Sequence, residues 1–260
     1  MRNETFHPGR FARYFACEIG AFRKNCGLTL LLTCAMPFIY LLINVLFTAR
    51  IYVDDASSGM RWFLAIVAIC IGVISFPIKL YGNVTDRRSG PWWTLVPVSA
   101  FEKFLSMVLM TCVVLPVCFF GLYAVADALV CLIPGYGEPL VSEYLSLGNL
   151  SSGYFASFGP MSLCFEFWLN WCAAILTFTL GAIFFRKGKA SKTILTIILI
   201  SIVMSAMTVW TLEGINSYGW DELDRDVFLA RMHTVQFLLY FVADAILLVG
   251  IYFRIKTIKY

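Results

Sequence analysis

The chain reads as an all-α integral membrane protein: one bundle of six transmembrane helices behind an N-terminal amphipathic helix, with both termini cytoplasmic. Three observations predict this. Of the 260 residues, 60% are hydrophobic and 14% charged, against about 45–50% and about 25% in soluble domains. Six apolar runs are each long enough to cross about 30 Å of hydrocarbon at about 1.5 Å per residue. The basic residues fall on alternate connections. This composition excludes a soluble enzyme, a nucleic-acid-binding domain and a disordered tail. Membrane lipids are an expected partner; nucleic acid is not.

In order along the chain, residues 6–25 carry Phe11, Tyr14, Phe15, Ile19 and Phe22 at helical spacing, with Arg13, Arg23 and Lys24 off that stripe. A basic amphipathic helix of this kind predicts an interfacial element lying along the bilayer, the alternative being an ordinary juxtamembrane extension of the first span. The N-terminus does not read as a cleavable signal peptide, because its charges interrupt any apolar core. Spans are predicted at 28–48, 62–80, 104–129, 162–185, 193–212 and 234–253, and the whole of 1–260 as a single transmembrane domain. Segments 130–161 and 213–233 lack the character of spans. The first turns basic-free and rich in Gly, Ser and Pro after residue 134; the second is acidic. The first is expected outside the cell, and the second as an external or partly re-entrant helix.

Orientation follows from the basic residues. Sixteen of the 20 lie in the N-terminal segment, the 2–3 connection, the 4–5 connection and the C-terminus. The opposite side holds Arg50, Arg61, Arg225 and Arg231 with nine acids, among them Asp54, Glu138 and Asp221. The expected location is a cytoplasmic (inner) membrane, crossed several times.

Chemistry is sparse. There is no GxxxxGK[ST] phosphate loop, no HExxH and no GxSxG, and the only histidines are His7 and His233. Nine cysteines are present, none in a CxxC pair, and most fall in apolar runs as small packing residues. No metal site and no catalytic residue are predicted. Three acids lie at membrane depth, where charge is expensive: Asp244 in the middle of the last span, Glu166 near the start of the fourth and Asp127 near the outer end of the third. A relay through Asp244 and Glu166 stands beside the blander reading of hydrogen-bonded carboxyls.

The most specific stretch is Gly82-Asn-Val-Thr-Asp-Arg-Arg-Ser-Gly-Pro-Trp-Trp-Thr-Leu-Val-Pro-Val-Ser-Ala-Phe-Glu-Lys-Phe-Leu. Ser99-Ala-Phe-Glu102 has the spacing of a capping box, each side chain reaching the other's backbone N–H. Pro97 discourages a helix running in from the second span. A basic loop with Arg87 and Arg88 therefore ends where a new helix starts at Ser99.

This segment and the layout around it resemble the membrane-spanning permease subunit of bacterial type-2 ATP-binding-cassette exporters. Many of these carry Leu-Pro-Ala-Ser-x-x-Glu-Lys after the second span. Pro97, Ser99, Glu102 and Lys103 match; Val96 and Val98 stand where Leu and Ala are usual. The resemblance implies that residues 82–103 couple to a cytoplasmic ATPase subunit, with Arg87, Arg88, Pro97, Ser99, Glu102 and Lys103 as contacts and Lys103 free to pair with an acid on the partner. It implies that 6–25 is the interfacial elbow and that a second permease copy or sibling completes the pathway. This chain would bind no cofactor, with ATP on the partner, and would not itself be an enzyme. Two other classes remain open: an ion-coupled secondary transporter using Asp244, and a non-transporting membrane scaffold subunit.

Overall fold

The computed structural model describes residues 6–48, 56–85, 93, 95–133, 138–143, 160–216 and 241–258. These are helical almost throughout, with no strand among them. Helix α1 spans Pro8–Cys34, α2 Met36–Thr48 and α3 Ala56–Tyr81, the last followed by a 3₁₀ turn at Gly82–Thr85. Helix α4 (Ala100–Leu109) passes through a π-helical turn at Met110–Val114 into α5 (Leu115–Cys131). Helices α6 (Pro160–Phe184) and α7 (Lys189–Asn216) follow, and α8 occupies 241–257. Among the described residues three helices, Gly59–Thr85, Ala100–Cys131 and Phe167–Phe184, are long and apolar enough to cross a membrane; the bent pair α1–α2, if taken as one broken span, makes four.

The expected boundary between an interfacial helix ending at 25 and a span beginning at 28 is absent. Helix α1 runs unbroken to Cys34, and the chain bends by 41° between α1 and α2. The physical reason lies just past Ala35. Pro37 has no N–H to offer Thr33 and its ring crowds that carbonyl, so the helix breaks there rather than at the charged residues upstream. The apolar stripe of residues 11–22 continues through buried Cys26, Leu30 and Cys34, which gives the helix no reason to end at 25.

Helix α3 is central, packing on α1, α2, α6 and α7. Phe76 of α3 is buried edge-on to Phe119 of α5, with ring centroids 6.3 Å apart. Phe119 stacks in turn on Trp171 of α6 at 5.7 Å. Helices α6 and α7 approach closely where Gly181 faces Thr193; a methyl added at Gly181 would stand 2.8 Å from Thr193 Cγ2 and 2.9 Å from its Cβ. Helix α8 lies against α6 and α4, with Gly250 beside Leu180 and Tyr252 edge-on to Phe104 at 5.6 Å.

The π turn has a legible cause. Pro116 lacks the N–H that would bond Cys112 in a regular helix. The orphaned Cys112 carbonyl accepts instead from the indole Nε1 of Trp168 on α6, at 3.0 Å.

Candidate functional site

The capping box forms as its spacing predicts. Ser99 Oγ accepts from the Glu102 N–H at 3.2 Å, and Glu102 Oε2 accepts from the Ser99 N–H at 2.9 Å. What the spacing could not show is the second set of donors. Arg10 of α1 approaches in fork geometry, Nε to Oε2 at 2.9 Å and Nη2 to Oε1 at 2.8 Å, and the His7 N–H reaches Oε1 at 2.9 Å. The N-terminal helix is thereby fastened to the start of α4 through one carboxylate.

Glu102 is completely buried, while the Arg10 side chain is 24% exposed. It precedes by two residues the apolar stretch that begins at Phe104. Burial works against its charge. The donors from Arg10, His7 and Ser99 outweigh that cost and hold the carboxyl at about 2, well below the usual carboxylate range. A second tie lies about two turns further along α1 and one turn further along α4, where Glu18 of α1 accepts from Tyr14 Oη at 2.9 Å and from Ser106 Oγ of α4.

Lys103 also turns inward. It is 6% exposed, donates to the Trp93 carbonyl at 2.7 Å and lies 4.6 Å from the Trp93 ring centroid. The Lys103 ammonium is thus engaged within the chain. Ser99 is buried as well, and of the matching residues Pro97 alone is exposed. Pro97 and Val96 face His7, Gly9, Arg13 and Tyr14 across an open groove of about 890 Å³. Arg87 and Arg88 lie outside the described residues.

The far end of the Ala100–Cys131 helix carries a matching clamp. Arg61 of α3 meets Asp127 with Nη2 at 2.8 Å from Oδ1 and Nε at 3.2 Å from the same oxygen. Both side chains are all but inaccessible. Arg61 Nη1 also donates to the Glu138 carbonyl at 3.1 Å, and the Leu140 N–H donates to Asp127 Oδ2 at 2.8 Å. Asp127 is thus a paired structural carboxylate that pins the segment after α5. Glu102 and Asp127 are 25 residues apart, about 37 Å along a helix. That exceeds the about 30 Å of a hydrocarbon core and falls short of the about 40–45 Å that includes the headgroups.

Asp244 sits on α8, 8% exposed. Glu166 falls within α6, its side chain outside the described residues. The structure does not join Asp127 to Asp244: the first has Arg61, the second faces the middle of the bundle. Arg10, His7, Glu18 and Arg61 are the participants that sequence reasoning did not assign. Each acts over a long sequence separation, and only the presence of a charge beside an apolar run marks them. Among the described residues no three His, Cys, Asp or Glu side chains stand close enough to hold a metal ion. The chain matches no family model, no curated protein and no solved structure.

Proposed function

We propose that the chain is the permease subunit of an ATP-driven exporter of the type-2 ATP-binding-cassette class, working with a separate cytoplasmic ATPase and a second permease copy or sibling. It would cross the inner membrane six times, with both termini cytoplasmic. The observation that carries the reading is the Arg10–Glu102 clamp. The two parts of the chain that the resemblance assigns to coupling, the N-terminal helix and the Ser99–Lys103 helix start, are fastened by a partly buried bidentate ion pair. A force applied to the groove between them would reach α1 and α4 together.

Charge placement supports the orientation. Lys189 donates to the Gly82 carbonyl, and Arg254 and Lys192 lie over the rings of Phe184 and Phe185. Tyr252 near Arg254 touches Phe104, so these basic residues gather at the Arg10–Glu102 end of the bundle. Cysteine-accessibility labelling should find positions 88 and 189 cytoplasmic and positions 55 and 222 external.

The partner is tested by co-purification of the full chain with a cytoplasmic ATPase from its native membranes. Because Glu102 and Lys103 are buried, reversing their charges would disturb the fold. The informative variants are Arg13→Glu and Pro97→Glu on the exposed groove, expected to lower ATPase association with an unchanged thermal midpoint. Reversal of Asp224 and Arg225 is the control and should leave association intact. Equal association in all variants removes the groove as the docking face. Failure to recover any ATPase removes the exporter reading. A second reading, an ion-coupled carrier, draws support from Asp244.

A further inference from the structure

Asp244 lies in the run Phe241-Val-Ala-Asp-Ala-Ile-Leu-Leu-Val249. Ten residues on, Arg254 lies over Phe184 at the C-terminal end of α6, its guanidinium carbon 5.3 Å from the ring centroid. Asp244 is therefore about 15 Å along the helix from that charged end, half the thickness of a hydrocarbon core. The residue is more than nine-tenths buried, and its Oδ1 has no hydrogen-bond partner among the described residues.

The titratable groups that face it are two thiols. Cys112 comes from the π turn and Cys172 from α6; they hydrogen-bond each other, and both lie within electrostatic range of Asp244. Helix α8 itself brings Arg254 and Lys256, both at its far end. Neither ion pair among the described residues includes the Asp244 carboxyl. The contrast with the other buried acids is sharp: Glu102 has Arg10 and Asp127 has Arg61. An isolated carboxylate in an apolar interior neutralises itself. With no cation beside it among the described residues, the neutralising ligand is a proton.

We propose that Asp244 is a proton-binding site at mid-depth in the bundle, occupied in this conformation, so that the side chain is a neutral carboxylic acid. Its surroundings make occupancy depend on shape. Cys112 belongs to the one π turn among the described residues, and such turns concentrate at functional positions. A rearrangement of Met110–Val114 that admitted water or a cation to Asp244 would favour the carboxylate and release the proton. This inference rests on the burial and isolation of Asp244, and it holds whether or not an ATPase drives the protein.

The test is infrared spectroscopy of the full chain in lipid nanodiscs at pH 7. The wild type should show the carbonyl stretch of a protonated carboxylic acid, and Asp244→Asn should lose that band. A difference spectrum containing only carboxylate bands would overturn the proposal. Should the variant not fold, the wild type grown with ¹³C-aspartate decides alone. An isotope-shifted acid carbonyl at pH 7 supports the site, because ion-paired Asp127 contributes none, and its absence refutes it.

Discussion

Arg10 and Glu102, 92 positions apart in the chain, meet through a planar two-bond contact in which the guanidinium donates Nε to one carboxylate oxygen and Nη2 to the other. The same carboxylate closes the capping box of α4. One side chain thus begins a helix and anchors a second one to it.

Removing Arg10 leaves a buried carboxylate with only its two backbone donors. Arg10→Ala should cost about 1.5–3 kcal/mol, the range for hydrogen bonds to charged groups. Arg10→Lys keeps the charge but not the fork and should recover less than half of the loss. Thermal unfolding in detergent measures both. The double variant with Glu102→Ala should fall well short of the sum of the single effects; strict additivity would mean that the two residues do not act on each other.

The clamp also sets an acid response. Because the Glu102 carboxyl is held at about 2 against an ordinary 4.5, its contribution to stability is complete above pH 4.5. It declines as pH falls from 4.5 through 2, where the native carboxylate finally takes up a proton. Glu102→Gln lacks this term at every pH. The gap in unfolding midpoint between wild type and variant should therefore be constant from pH 7 to 5 and close towards pH 2. A gap that persists at pH 2 would assign the effect to side-chain shape rather than charge.

At the opposite end, Asp127→Asn strands the Arg61 guanidinium in the interior and should cost about 3–5 kcal/mol. Arg61→Met with Asp127→Leu removes both charges and should restore most of that stability. Hydrogen exchange reads the local consequence. The Leu140 amide, bonded to Asp127 Oδ2 in the native chain, should lose protection in Asp127→Asn more than amides at the Arg10 end. Uniform loss along the chain would mean that the pair serves global stability alone.

The α6–α7 contact offers a steric test. Gly181→Ala pushes a methyl into Thr193, a β-branched side chain whose Oγ1 is tied to the Lys189 carbonyl at 2.7 Å and has little freedom to swing away. Overpacking of this kind costs about 1–3 kcal/mol. Thr193→Ala in the same chain should relieve it. If the second substitution brings no rescue, the helices separate instead of colliding.

The parts of this structure that were legible in the sequence are local ones. The Ser99–Glu102 box is an i, i+3 relation that four consecutive residues determine. Asp127 and Asp244 stood out because a charge inside an apolar run has few explanations. Their opposite environments were not legible, since Arg61 lies 66 positions before Asp127 and nothing in either neighbourhood names the other. The same holds for Arg10, which read as one of several basic residues of an N-terminal segment. The bend after Cys34 had a local signal in Pro37, but the charges at Arg23 and Lys24 pointed to an earlier boundary. Amphipathic periodicity cannot separate a helix lying in an interface from one continuing into the bundle, because both present the same stripe. Pro116 carried a signal for the π turn, and only the presence of Trp168 across the helix interface completes it.

The helix from Ala100 to Cys131 is held at both extremities and irregular near its middle, and the number of residues between its two fixed points becomes a constrained quantity. A π turn takes up one residue more than an α turn, and each residue in a regular helix corresponds to about 100° of rotation. Straightening Met110–Val114 without deleting a residue would swing Asp127 away from Arg61 or Glu102 away from Arg10. Neither buried pair can follow such a swing intact. The irregular turn is the place where surplus winding is stored, and the two ion pairs are the stops that must yield before it fully unwinds.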